Sequence, residues 1–388
     1  MSTRPVISLI EHFKDLPDPR VNRTKDHDLI DILTIAICCL LCSGENFNEM
    51  EDFGHAKEEW FRTFLSLRNG IPSHDTFNRV FAAMDPEKFL ECFLKWTQSL
   101  RQRIPQEVVA LDGKALRRAL NKDENPRYIV SAWAEDNSLV LGQLKVSEKS
   151  NEITAVPELL RALELAGCIV TLDAMGCQKK IAREIKEADA DYVLALKGNQ
   201  EKVHEEVKTF LDHAAVEKGK QRSVGAAVPK IAATLQTCET VEKDHGRLET
   251  RRYYQSQELD WFADREKWQG LRTVGMVEST REVDGKTTME RRYYLSSLPL
   301  GIATFAKAVR CHWGIENKVH WVMDVCFNED QSRARQGFAA ENLATLRRLA
   351  LNILKKENSK KGRGIRRKQL VAGWDNAFLL KLLGITPK

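Results

Sequence analysis

The chain lacks a cysteine framework. Its nine cysteines are an odd number without regular spacing, which excludes a small disulfide-stapled scaffold. Cys38, Cys39 and Cys42 lie inside an apolar segment with no partner ligands beside them, and they read as core thiols. Long apolar runs are missing too. The longest, residues 29–42, is interrupted by Asp31 and is too short to span a bilayer. The first residues carry acids and prolines and do not have the shape of a signal peptide, so the expected compartment is the cytoplasm. One-sided charge is absent: 30% of residues are charged, yet the net charge is only +5. A histone-like polycation is thereby excluded, and a nucleic-acid partner would have to meet locally concentrated basic residues. Apolar content, by contrast, is ample. At 43% of 388 residues it supports a large core and two or three domains.

The pattern divides the chain into five parts. Residues 1–105 read as helical, with Leu29, Ile30, Leu33, Ile37, Leu40 and Leu41 at helical spacing. Within them Gly70-Ile71-Pro72-Ser73 forms a turn into a helix, with Ser73 as N-cap and Asp75 at the positive end of the dipole. Phe77, Val80 and Phe81 face inward, whereas His74, Asn78 and Arg79 are available to read DNA as in a helix-turn-helix. An ordinary bundle helix fits the same pattern. Residues 106–215 change to strands at 108–111, 128–133, 139–146, 168–172 and 192–196. Helices at 150–166 and 179–188 fall between the later ones. Three meandering strands followed by alternation is the RNase H-like order, whereas a doubly wound sheet alternates from the start.

Residues 218–222 read as a polar turn opening a β-rich insertion over 216–296. Val283-Asp284-Gly285-Lys286 marks a tight hairpin there. Arg251-Arg252-Tyr253-Tyr254 recurs as Arg291-Arg292-Tyr293-Tyr294, by chance or on two strands facing one partner. Helical pattern resumes over 297–350, the second part of the core. It continues into a basic helical tail, 351–388, whose lysines and arginines suit non-specific phosphate contact. The fold class is therefore α/β: an RNase H-like core with a β-rich insertion, preceded by a helical domain and followed by C-terminal helices.

Three acids stand out. Asp112 and Asp173 each end an apolar strand, where a carboxylate costs desolvation energy unless a cation offsets it. Glu316 shares a four-and-three spacing with Phe305, Val309, His312, Val319 and Met323, which places it on an inward helix face. Carboxylates suit Mg or Mn, and two such ions can clamp a phosphodiester displacement. Other readings stay open. Asp112-Gly113 and Asp173-Ala174-Met175-Gly176 also fit plain turns, and Glu316 could pair with His312 or His320. His312, Glu316 and His320 could also bind zinc, although no HExxH order is present. Asp324 rivals Glu316 as third acid. Lys197, Asn199 and Gln200 follow the last core strand and suit phosphate and sugar contacts, or else cap a helix. His245 and Arg247, with Arg251 and Arg252 beyond, form a basic stretch or a solvated strand face.

Longer runs carry a resemblance. They are His12-Phe13 with Leu16-Pro17-Asp18-Pro19-Arg20, Gly70 to Thr76, Leu111-Asp112-Gly113-Lys114, Glu148 to Ile153, Asp173 to Gln178, Lys197 to Gln200, and His312 to Asn317. With them the chain resembles, over nearly its whole length, the DDE transposases of bacterial insertion sequences. It is most similar to the subgroup of H-repeat-associated proteins found near Rhs elements. The resemblance implies Asp112, Asp173 and Glu316 as a catalytic triad holding two Mg or Mn ions, and cleavage at element ends followed by strand transfer. Lys114, Lys197, Asn199 and Gln200 would position phosphates. The implied partner is double-stranded DNA, the implied assembly a homodimer synapsed on it, and the implied place the bacterial nucleoid. A catalytically silent relic of the same fold, or a nuclease without strand transfer, are the alternatives. The chain departs from related transposases around the last acid, with Val309, His312 and Met323 where they carry Tyr, Arg and Lys.

Overall fold

The computed structural model describes residues 9–21, 25–118, 127–146, 152–224, 234–244, 247–283, 285–359 and 362–385. The chain forms two compact units. One contains Met1–Arg103, Gly113–Lys149 and Glu316–Lys388, and the other Ile104–Asp112 and Ser150–Ile315. Strand β1 (Val108–Leu116) is common to both, because the division falls after Asp112.

The first unit is mainly helical. It holds α1 (Leu9–Phe13), α2 (Leu29–Leu41), α3 (Phe47–Ala56), α4 (Glu58–Phe61), α5 (His74–Ala83) and α6 (Pro86–Leu100). Helix α2 is not one-sided as its spacing predicts: every residue but Ile30 is buried, Asp31 included. A helix apolar nearly all round belongs inside a bundle. Asp31 is satisfied there by Ser66 Oγ and the Leu67 N–H. Cys38 and Cys39 are buried in the same helix as expected, and burial pushes the Cys42 thiol up to about 12. Strands β2 (Arg127–Ala134) and β3 (Leu139–Val146) pair antiparallel, with β1 beside β2.

Further along the chain, α11 (Trp321–Phe327) precedes the long helix α12 (Ala339–Lys356), which is the spine of this unit. It packs on α2, α5, α6 and β3. Its buried polar side chains are all engaged with the unit. Asn342 Nδ2 donates to the Phe81 and Met84 carbonyls at the end of α5, and Asn352 both accepts from the Val140 N–H and donates to its carbonyl. Helices α13 (Ile365–Trp374) and α14 (Asn376–Leu382) complete the unit.

The basic tail is thus not loose. Lys368 is buried and donates to the Leu354 and Glu357 carbonyls, capping α12, and Gln369 donates to the Leu40 carbonyl. A lysine that satisfies orphan carbonyls at a helix end is not available to phosphate. Arg366 and Arg367 remain exposed.

The second unit is a sheet of order β1-β4-β5-β9-β8-β7-β6 with flanking helices. Strands β4 (Ile169–Leu172) and β5 (Asp191–Leu196) run parallel to each other, and β4 runs parallel to β1. Helices α7 (Glu152–Ala162) and α8 (Lys179–Glu187) supply the crossovers. Helix α9 (Glu201–Val224) runs straight through the expected polar turn at 218–222. Lysine, glutamine and arginine are good helix formers, and one glycine does not end so long a helix.

The insertion supplies β6 (Gln236–Asp244), β7 (Arg247–Ser256), β8 (Thr273–Val283) and β9 (Lys286–Ser296), an antiparallel meander that continues the sheet through β9 on β5. Val283 pairs with Lys286, so the hairpin loop is two residues long, and Gly285 adopts the positive φ it needs. Asp284 itself lies outside the described residues, as do His245 and the run 147–151. Helix α10 (Ile302–His312) covers the sheet, burying Phe305, Ala308 and Val309 against Val108, Ile169, Val193, Tyr253 and Val277. Burying Phe305 contributes about 2–3 kcal/mol. Gly275 is needed beneath it, since a Cβ there would sit 2.2 Å from the Phe305 ring. Among the described residues no helix is long and apolar enough to cross a membrane.

Candidate active site

The register of the parallel strands places the first two acids. Val108, Val109, Ala110 and Leu111 pair with Ile169, Val170, Thr171 and Leu172, so Asp112 and Asp173 are the next residues on adjacent strands. Neighbouring strands lie about 4.8 Å apart, which puts two partly exposed carboxylates side by side at one sheet end. Asp173 Oδ1 accepts from the Met175 and Gly176 N–H groups at 3.0 and 3.3 Å. That turn folds over Leu172 closely enough that a Cβ on Gly176 would stand 2.8 Å from the Leu172 Cβ. Asp173 is therefore both a turn former and an acid at the strand end.

The loop after β5 braces this turn. Asn199 Nδ2 donates to the Ala174 carbonyl, and Gln200 Nε2 to the Cys177 carbonyl and Gln178 Oε1. The two amides expected to meet DNA thus hold the segment behind Asp173, while Lys197 is exposed. His312 packs over the same strand end, its Nδ1 3.0 Å from Thr171 Oγ1. Burial lowers its pKa to about 4, against the pull of Asp173, and Arg292 lowers it further. The ring is neutral at pH 7. Arg292 also lies over the Trp313 ring at 4.6 Å.

Glu316 sits differently from its expected place. The helix breaks at Trp313, and Glu316–His320 form a π-helical turn. A wider turn shifts every following residue round the axis, so Val319 and Met323 are buried while Glu316 is exposed. The same break removes the regular stride on which a His312, Glu316, His320 zinc set depends. Among the described residues no three histidines, cysteines or acids are gathered closely enough to hold an ion. The pair Asp112 and Asp173 nevertheless fits a hard divalent cation by donor type.

Lys114 is not presented to a substrate. It is 9% exposed, with Nζ 2.7 Å from Asp324 Oδ1, 2.7 Å from Asp330 Oδ1 and 3.5 Å from Glu329 Oε2. Burial opposes its charge, but Glu329, Asp324 and Asp330 hold its pKa raised. Asp324, a rival third acid in the sequence, is one of these partners. Glu329 is fully enclosed and also meets Arg348 Nη1 at 2.8 Å.

His74, Asn78, Arg79, Arg251 and Arg252 are likewise engaged. His74 Nδ1 meets Glu51 Oε2 at 2.5 Å, Asn78 donates to Gln336, and Arg79 Nε donates to the Asp75 carbonyl. Ser73 caps α5 and Phe77, Val80 and Phe81 are buried, as expected. Arg251 pairs with Glu242 and Glu249, and Arg252 with Glu239. The repeated Arg-Arg-Tyr-Tyr runs lie on β7 and β9, the two neighbours of β8, and Arg252 and Arg291 both reach Glu278. Arg247 begins β7 opposite Asp244.

Residues 103–353 match the family described as transposase DDE domain, and residues 10–97 match the domain associated with it. The chain belongs to the DDE transposases. It is 38% identical to "Putative transposase YncI" of Escherichia coli O157:H7 over 97% of its own length and 94% of that protein. It is 36% identical to "H repeat-associated putative transposase YhhI" of Escherichia coli (strain K12), over 97% of each. A short relative from the same strain, "Inactive transposase YbfQ", is 38% identical over 19% of the chain and 86% of that protein. The H-repeat subgroup expected from the motifs is thus borne out. Sequence reading missed the acids around Lys114, because Asp324, Glu329 and Asp330 lie more than two hundred positions away.

Proposed function

We propose that this transposase cleaves DNA at the ends of an insertion sequence and joins the freed 3′ ends to target DNA, with Asp112, Asp173 and Glu316 as its carboxylates. The observation that carries the reading is the register that sets Asp112, where the parallel pairing stops although β1 itself runs on to Leu116, beside Asp173 at the end of β4. An RNase H-like core is supported by the β1-β4-β5 parallel centre with β2 and β3 paired antiparallel beyond it. Two Mg or Mn ions bound there would activate water and steady the leaving oxygen. The protein's own part is to present carboxylate oxygens, keep His312 neutral beside them, and fix the turn after Asp173 through Asn199 and Gln200. Lys197 and Arg247 would meet phosphates, with a homodimer forming on double-stranded DNA at the nucleoid.

The reading is tested with a plasmid carrying the DNA that flanks the gene. Asp112→Asn, Asp173→Asn and Glu316→Gln should each lower Mg-dependent cleavage at least a thousandfold and leave DNA binding within a few fold. Near-normal cutting by any one removes that residue from the site. A wild type that binds the flanking DNA but never cuts it favours the catalytically silent reading. Support for that reading comes from the inactive relative.

A further inference from the structure

Within the first unit, a cavity of about 480 Å³ lies between the start of α3, α5 and the segment that joins α11 to α12. Its lining is unusual in chemistry. Asn48, Asn78, Gln331, Gln336, Arg333 and Arg335 all face it, and no lysine does. Asn78 and Gln336 bond each other, and Arg335 Nε donates to the Arg118 carbonyl. Among the described residues the side chains of Asn48, Gln331 and Arg333 have no hydrogen-bonding or ionic partner, and all three are exposed. Glu45, the acid in the lining, is taken up by Asn328 Nδ2 at 2.6 Å.

Three kinds of ligand can be weighed against this set. A phosphate accepts hydrogen bonds only, so it would engage the N–H2 groups of Asn48 and Gln331 and leave their carbonyls without a donor. An apolar ligand would leave the same amides and the Arg333 fork unpaired, which costs free energy. Base edges match instead: they present donors and acceptors side by side, Asn and Gln pair with adenine in two bonds, and Arg does the same with guanine. We propose that this cavity is where the transposase reads the base sequence of its DNA ends, with Arg333, Gln331 and Asn48 as the specificity-determining side chains. The inference rests on the DNA-processing reading above and gives it a site of sequence recognition. It also gives α5 a part through Asn78 at the cavity wall, while His74 and Arg79 are engaged elsewhere.

The experiment is selection of binding sequences from a randomised duplex pool. It uses the full-length wild type and the triple variant Asn48→Ala, Gln331→Ala, Arg333→Ala. The wild type should enrich a defined sequence, and the triple variant should lose preference at a contiguous block of it. Discrimination against random duplex should fall about ten- to hundredfold, whereas affinity for random duplex changes only a few fold. Arg333→Lys keeps the charge but not the two-bond geometry. It should lose preference at one guanine and bind random duplex as before, which separates reading from folding. Unchanged sequence preference in the triple variant, with the wild type still selective and cutting, overturns this site alone. A wild type that enriches no sequence and cuts no DNA overturns both the site and the reading on which it rests.

Discussion

Lys114, Glu329 and Arg348 show how much one buried position depends on its neighbours. Burial alone would raise the Glu329 pKa, yet Arg348, Lys114 and Arg347 hold it down at about 2. The folded state therefore binds that proton less readily than the unfolded chain. Its contribution to stability is present above the ordinary glutamate range and is lost as pH falls from about 4.5 to about 2, some 3 kcal/mol in all. Asp324 works the other way, since burial raises its pKa against the pull of Lys114, and it offsets part of this loss. Urea unfolding followed by tryptophan fluorescence should show stability dropping through that acid window. In Glu329→Gln the drop should shrink. Glu329→Ala should lower stability by about 3–5 kcal/mol at pH 7, because it leaves Arg348 buried without its counter-charge. Gly176→Ala is the matching test beside the acids. The clash with Leu172 should cost about 1–3 kcal/mol and displace the turn held by Asp173, so cleavage should fall more than stability does.

Elements that rest on local pattern could be read before the fold was known. Strand β3 spans the expected residues, β2, β4 and β5 differ by a residue or so at their ends, and α5 begins at its Ser73 cap. Alternation, capping and turn chemistry are encoded within a few residues of where they act. What escaped was set by distant partners. That β9 joins β5, and that Lys114 meets three acids, depend on contacts across about a hundred and about two hundred positions. The π turn at Glu316 escaped for a different reason: it leaves the apolar spacing intact while rotating the residues between.

The C-terminal helices make the same point. Their charge suggests a tail, but Lys368 and Gln369 are buried, as is Phe378. Truncation after Asn358 should lower the melting temperature of the protein by several degrees, measured by calorimetry, besides weakening DNA binding. A truncated chain as stable as the whole, with only weaker binding and a flatter salt dependence, would return these helices to the role of a phosphate-binding tail.

At the scale of the molecule, the helical unit is assembled from three separated stretches of chain around a single spine, α12. β3 is an edge strand, and Asn352 occupies the free N–H and C=O of Val140 as another strand would. Asn352→Leu should therefore leave both groups unpaired. It should lower stability by about 1–3 kcal/mol and promote self-association, seen in light scattering at rising protein concentration.

The spine has a further consequence during synthesis. A ribosome delivers α2, α5, α6 and β3 long before it delivers α12, so those elements wait, apolar faces uncovered, until the last eighth or so of the chain emerges. A message broken anywhere upstream of α12 yields a product that chaperones and proteases meet as an unfinished chain. A gene truncated upstream of α12 should therefore leave little folded helical unit in the cell.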